Sequence, residues 1–210
     1  MKGIIGKKLG MTRVFTEDSV AVPVTVIEAG PCTVLQCRTY EQDGYAALQL
    51  GYGSKKAKNV NKAMLGHLVG SNLQENPPAC ISEIRGYNDP EEEVGQQVEV
   101  GIFEKGDFVD ISGRTKGRGF QGTVKRFNFG GGRATHGFAW NRKPGSVGMC
   151  VDPGRVYKGR PMPGHMGDAK RTVQNLAVMD VRPDENVILV KGAVPGAKGS
   201  YVVVHQARKK

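Results

Sequence analysis

The sequence predicts a mainly β protein: one β-barrel, a short helical insertion, and a long, glycine-rich basic extension inserted between barrel strands. Three observations predict it. Short apolar runs rich in β-branched residues recur between turn formers on both sides of the extension. From Asn61 that texture changes, and Met64, Leu65, Leu68, Val69 and Leu73 fall at helical spacing. Gly113 to Arg171 then carries thirteen Lys or Arg against Asp152 and Asp168, with 14 of the 30 glycines and no Leu or Ile. Against chain totals of 30 basic and 20 acidic residues, this stretch has a net charge of +11 and the remainder −1. A locally cationic stretch poor in core-building residues reads as a polyanion-binding arm on a globular domain.

Along the chain, Met1 to Lys8 (MKGIIGKK) puts too few apolar residues before its second basic pair for a signal-peptide core. No run reaches membrane-spanning length. Val20–Glu28, Cys32–Thr39, Ala46–Tyr52, Gln97–Val100 and Phe108–Ser112 read as strands, with turns at Gly30-Pro31 and Asp43-Gly44. Asn61 is placed to cap the short amphipathic helix that follows it. Gln74–Pro78 and Asp89–Gly95 read as polar loops, with Glu91-Glu92-Glu93 as a solvated acidic face. Strand texture returns in Val173–Asp180, Val187–Lys191 and Tyr201–His205. The expected organisation is a barrel from residues 1–112 and 172–210, a helical insertion over about 59–95, and the extension over 113–171.

Cys32, Cys37, Cys80 and Cys150 are scattered without zinc spacing, and read as reduced thiols of a cytosolic chain, used as small buried hydrophobes. His67, His136, His165 and His205 have no Ser, Cys or carboxylate at a recognised catalytic spacing. Gly117-Arg118-Gly119-Phe120-Gln121-Gly122 matches G-x-G-x-x-G. Thr123–Phe127 after it reads as no helix, however, and no acid follows about twenty residues on, so a dinucleotide site is set aside. No cofactor or metal is expected.

The extension has too little apolar surface to offset the conformational entropy of ordering 59 residues, so it is expected to stay mobile until an anion orders it. Its residue types indicate which anion. Arg114, Lys116, Arg118, Lys125, Arg126, Arg133, Arg142, Lys143, Arg155, Lys158, Arg160, Lys170 and Arg171 are spread along it, as needed to follow a phosphate backbone. Phe120, Phe127, Phe129, Phe138, Trp140 and Tyr157 lie among them, with His136 and His165, where rings stack on unpaired bases or pack on the extension's own turns. Fourteen glycines forbid the long apolar helix of a membrane-binding stripe. Folded RNA fits better than duplex DNA, whose readers present a rigid helix or ribbon to a groove.

The run Lys116–Gly137 (KGRGFQGTVKRFNFGGGRATHG), with PGSVG from Pro144, PGRV from Pro153 and KGRPMPGHMG from Lys158, resembles large-subunit ribosomal protein L three, bacterial type. GIIGKKLGMTRVF at Gly3 and VKGAVPGAKGS at Val190 are similar to that family's terminal motifs, so the resemblance spans essentially the whole chain. It implies a translation-protein-type barrel on the surface of the large subunit and an early role in its assembly. It also implies an extension threading 23S-type rRNA toward the peptidyl transferase centre, with its tip at Ser146, Val147, Gly148, Met149, Cys150, Val151 and Asp152. The implied neighbours are the large-subunit proteins L fourteen and L nineteen; no membrane, small-molecule substrate or catalytic residue is implied, and the setting is the cytoplasm.

The family commonly has a tip glutamine, methylated in some members, where this chain has Met149-Cys150-Val151, so that modification is expected to be absent. The family also often has His-Arg before Pro-Gly-Ser, where this chain has Asn141-Arg142-Lys143. The reading is a structural rRNA-binding protein. An RNA-modifying enzyme and a ribosome-associated accessory factor are the alternatives; the first needs a cofactor fingerprint that the sequence lacks.

Overall fold

The computed structural model describes residues 2–85 and 94–210. The chain is mainly β and divides into two compact units, one of Met1–Arg114 with Lys170–Lys210 and one of Thr115–Ala169. They are called the ring unit and the insert unit below.

The ring unit is built on six strands. These are β1 (Gly3–Phe15), β2 (Ala21–Ala29), β7 (Phe108–Arg114), β10 (Lys170–Arg182), β11 (Val187–Lys191) and β12 (Tyr201–Gln206). Every pairing is antiparallel, and the order β1-β12-β7-β10-β11-β2 closes on itself through β2 against β1. Period-two alternation sends one face of each strand inward. Val202 and Val204 of β12, Val109 and Ile111 of β7 and Ile188 and Val190 of β11 meet there with Ile4, Ile5 and Ile27.

The first strand carries no sequence texture of a strand, because glycines and a Lys-Lys pair interrupt it. Packing explains both. A Cβ on Gly3 would lie 2.6 Å from Ile84 Cγ2, and one on Gly6 would lie 2.7 Å from the Glu28 carbonyl oxygen. Lys8 is buried, and its ammonium donates to the carbonyls of Val194 at 2.8 Å and Gly196 at 3.2 Å. A buried cation is tolerated only with such partners.

A second sheet corrects the expectation of a single barrel. β3 (Cys32–Arg38), β4 (Ala47–Tyr52), β5 (Cys80–Arg85) and β6 (Gln97–Val98) form a separate antiparallel sheet ordered β5-β4-β3-β6. Its inward residues Cys32, Val34, Leu48, Leu50 and Ile84 belong to the same buried cluster as the ring, so one core serves both sheets. Tyr52 stands at the join, its hydroxyl donating to the Glu28 carbonyl at 3.4 Å and its ring edge-on to Tyr201 at 6.0 Å.

The helical insertion over 59–95 is also corrected. The helix is α2 (Lys62–His67), where Asn61 accepts from the Met64 amide at 2.9 Å as its cap. It ends where Leu68 turns into the core, and β5 occupies the later part of the stretch. Asp43-Gly44 ends one helical turn, α1 (Tyr40–Asp43), and Gly44 at φ +75° donates back to Tyr40. Glu91-Glu92-Glu93 lies outside the described residues.

The insert unit contains β8 (Phe120–Gln121), α3 (Thr123–Phe127) and β9 (Gly164–His165), with turns elsewhere. Its two ends run antiparallel: Thr115 donates to Ala169 at 3.0 Å, Arg118 to Met166 at 2.9 Å, and Phe120 pairs with His165. Gly167 at φ +78° permits this, because a Cβ there would overlap the Lys116 carbonyl oxygen. The helix α3 corrects the reading of Thr123–Phe127 as non-helical. It is five residues long, entered from Gly122 without a side-chain cap and ended by Asn128 at φ +59°. Thr123 is the one buried residue between 115 and 169, so this unit has no apolar core.

Candidate nucleic-acid interface

Three of the predicted contact residues, Arg114, Lys170 and Arg171, lie on the ring unit, with Lys170 opposite Arg114 and Arg171 opposite Gly113 in the pairing of β10 with β7. The others lie in the insert unit. Lys116 and Arg118 follow the paired ends. Phe120, with 76% of its surface exposed, sits opposite His165. On α3, Lys125 is exposed, while Arg126 donates to the Met162 carbonyl at 2.7 Å and lies 4.9 Å from the Phe127 ring centroid. Lys143 lies 5.2 Å from the Trp140 ring, which is half exposed. Exposed rings beside cations can stack bases while the cation meets phosphate.

At the predicted tip, Ser146 donates to the Gly148 carbonyl at 2.9 Å, and Arg160 donates to the Ser146 carbonyl at 2.8 Å. That crossing holds the segment in a loop, with Met149 and Val151 almost wholly solvated at 72% and 86% exposure. Cys150, at φ +80°, is exposed as well, which departs from the expectation of buried thiols; Cys32 alone of the four is fully buried, and burial pushes its thiol up to about 12.

Several cations of the insert unit have no acidic partner among the described residues. Lys125, Arg133, Arg142, Arg155 and Lys158 form no ion pair among the described residues, whereas the ring unit pairs Arg38 with Asp43 and Glu83, and Arg182 with Asp180 and Glu185. No helix of the described residues is long and apolar enough to cross a membrane, and no cluster of three metal-ligating side chains forms among them.

Two features were not predicted. Asn141, read only as a departure from a motif, ties residues 131–141 together: with its amide assigned so that the nitrogen faces them, it donates to the carbonyls of Arg133 and Phe138, each at 2.7 Å. The triple glycine before it was the available signal, since tight backbone approach needs glycine. In the ring unit, Arg85, Lys170 and Arg208 border a polar groove with Asp110 and His205. His205 titrates below its ordinary range, because of burial first and the nearby Arg208 and Lys170 second, opposed by Asp110. This groove depends on which strands pair, so no local signal marks it.

A family model described as Ribosomal protein L3 matches residues 83–187. The large ribosomal subunit protein uL3 of Brachyspira hyodysenteriae is 50% identical over 210 residues, covering 100% of this chain and 96% of that protein. The uL3 of Pelotomaculum thermopropionicum is 50% identical over 208 residues, with 99% and 98% covered, and that of Deinococcus radiodurans is 49% identical over 210 residues, with 100% and 96% covered. The class is thereby a structural ribosomal protein, not an enzyme. Within that class, the chain belongs to the ribosomal protein L3 family.

Proposed function

We propose that the chain anchors in the large ribosomal subunit through its ring unit and binds 23S-type rRNA through its insert unit, in the cytoplasm. The closed six-stranded sheet is read as a translation-protein-type barrel, with the extension inserted between its strands. The observation that carries the reading is the insert unit's set of exposed, unpaired cations interleaved with exposed rings, on a backbone with no apolar core. The cations neutralise phosphates where RNA helices converge, which supports early subunit assembly. The loop Ser146–Asp152 carries no cation and holds Val151 and Met149, two of the three most exposed large apolar side chains among the described residues, and is proposed to reach toward the peptidyl transferase centre and brace RNA by shape. The large-subunit proteins L fourteen and L nineteen are the proposed protein neighbours, by family resemblance.

The test is the salt dependence of the intact chain's affinity for a large-subunit rRNA fragment. With six to ten phosphates contacted, affinity falls about 10³- to 10⁵-fold between 50 and 200 mM salt. A nearly flat response overturns the reading. Release of the protein from purified large subunits by a high-salt wash would favour an accessory factor instead.

A further inference from the structure

Residues 131–141 close on themselves. The Gly132 amide donates to the Asn141 carbonyl at 3.0 Å, and the Asn141 side chain reaches back to the Arg133 and Phe138 carbonyls. Two glycines make the closure possible. At Gly131, φ is +71° and a Cβ would overlap the Asn141 carbonyl oxygen; at Gly132 a Cβ would overlap the Phe138 ring. The Phe138 ring therefore rests on glycine backbone while 46% of its surface remains exposed. Beside it is an open cavity lined by Gly131, Gly132, Arg133, His136 and Phe138.

Neither the Arg133 nor the His136 side chain has a hydrogen-bond or ion-pair partner among the described residues, and His136 holds a left-handed φ of +61°. The cavity thus combines a half-open aromatic ring, a guanidinium and an imidazole in a loop fixed by its own hydrogen bonds. We infer that this closed loop is a pocket for one unpaired nucleobase, stacked on Phe138, with Arg133 on the flanking phosphate and His136 on the base or sugar edge. Bases inside a duplex cannot enter, because their faces are already stacked. The inference rests on the RNA-binding reading and deepens it from phosphate neutralisation to recognition of a single extruded nucleotide.

The test uses the intact chain and two blunt-ended RNA duplexes, identical except that one carries a single unpaired adenosine, with affinities measured by fluorescence anisotropy at fixed salt. The bulged duplex is expected to bind about tenfold tighter, in line with stacking of one base. Phe138→Leu should reduce that ratio to below about twofold while leaving affinity for the bulge-free duplex nearly unchanged. Phe15→Leu, at an exposed ring of the ring unit, should leave the ratio intact. Arg133→Gln, which keeps the loop's backbone bonds, should lower affinity for the bulged duplex more than for the other. Equal binding of the two duplexes, an unaltered ratio in Phe138→Leu, or an equal loss in Phe15→Leu overturns the pocket but leaves RNA binding standing. Absence of binding to either duplex overturns both.

Discussion

Lys8 in the ring unit and Arg133 in the insert unit are cations put to opposite uses. Lys8 is buried and its ammonium is held by the Val194 and Gly196 carbonyls. Arg133 is exposed and forms no ion pair among the described residues. Glycines divide in the same way. Gly3 and Gly6 let strands approach a dry core, whereas Gly131 and Gly132 let a solvated loop close around an open cavity. In one unit polar and small residues serve packing; in the other they keep charge and ring faces available to a partner.

The sharpest way to break that contrast is to truncate one apolar side chain in each unit. Ile4→Ala, at a fully buried position, should cost about 2–5 kcal/mol in urea unfolding. Phe120→Ala should stay within about 0.5 kcal/mol of the parent, because the ring is solvated already. Comparable losses would mean that the insert unit has a core after all.

Lys8→Met comes next. It keeps the volume but leaves the two carbonyls without their donor, and a loss of about 1–3 kcal/mol is expected, with RNA affinity unchanged. A fall in affinity without a fall in stability would place Lys8 with the cations proposed to bind phosphate.

A smaller effect is expected from pH. The His205 pKa in the folded chain lies below the ordinary value of 6.5, so the unfolded chain binds more protons between the two. Stability from this group is complete above about 6.5 and is lost as pH falls through that window, at up to about 1.4 kcal/mol per pH unit. His205→Gln should flatten the profile there, as read by thermal unfolding across pH. The smallest perturbation is chemical labelling. Maleimide should modify Cys150 first and Cys32 only on unfolding, as mass spectrometry of the native chain would show; early labelling of Cys32 would contradict its burial.

Where hydrophobic pattern and turn residues coincide, the fold was legible in the sequence. β2, β3, β4, β7, β11 and β12 lie within two residues of the runs that predict them. β1 escaped because Gly3, Gly6 and buried Lys8 replace the apolar alternation, and each is explained only by what packs against it. The division into a ring and a second sheet escaped because β5 pairs with β4 across a long sequence separation, and pairing is not a local property. α3 escaped because its five residues give less than two turns of periodicity. The candidate interface was legible as composition, through its cations, rings and glycines. The closed loop around Phe138 was not, because its closure depends on the Asn141 side chain reaching back to Arg133 and Phe138.

The central claim is that stability resides in the ring unit and RNA affinity in the insert unit. Deleting residues 118–166 tests it most directly. Gly117 and Gly167 already lie against each other, so they can be joined directly, and the deletion removes nine of the cations. Thermal unfolding and the salt dependence of rRNA binding are then compared with the intact chain. Cooperative unfolding within a few degrees of the parent is expected, with a salt response shallower by about 0.7 to 0.9 in log–log slope for each phosphate that is no longer neutralised. Loss of cooperative unfolding, or an unchanged salt response, would contradict it.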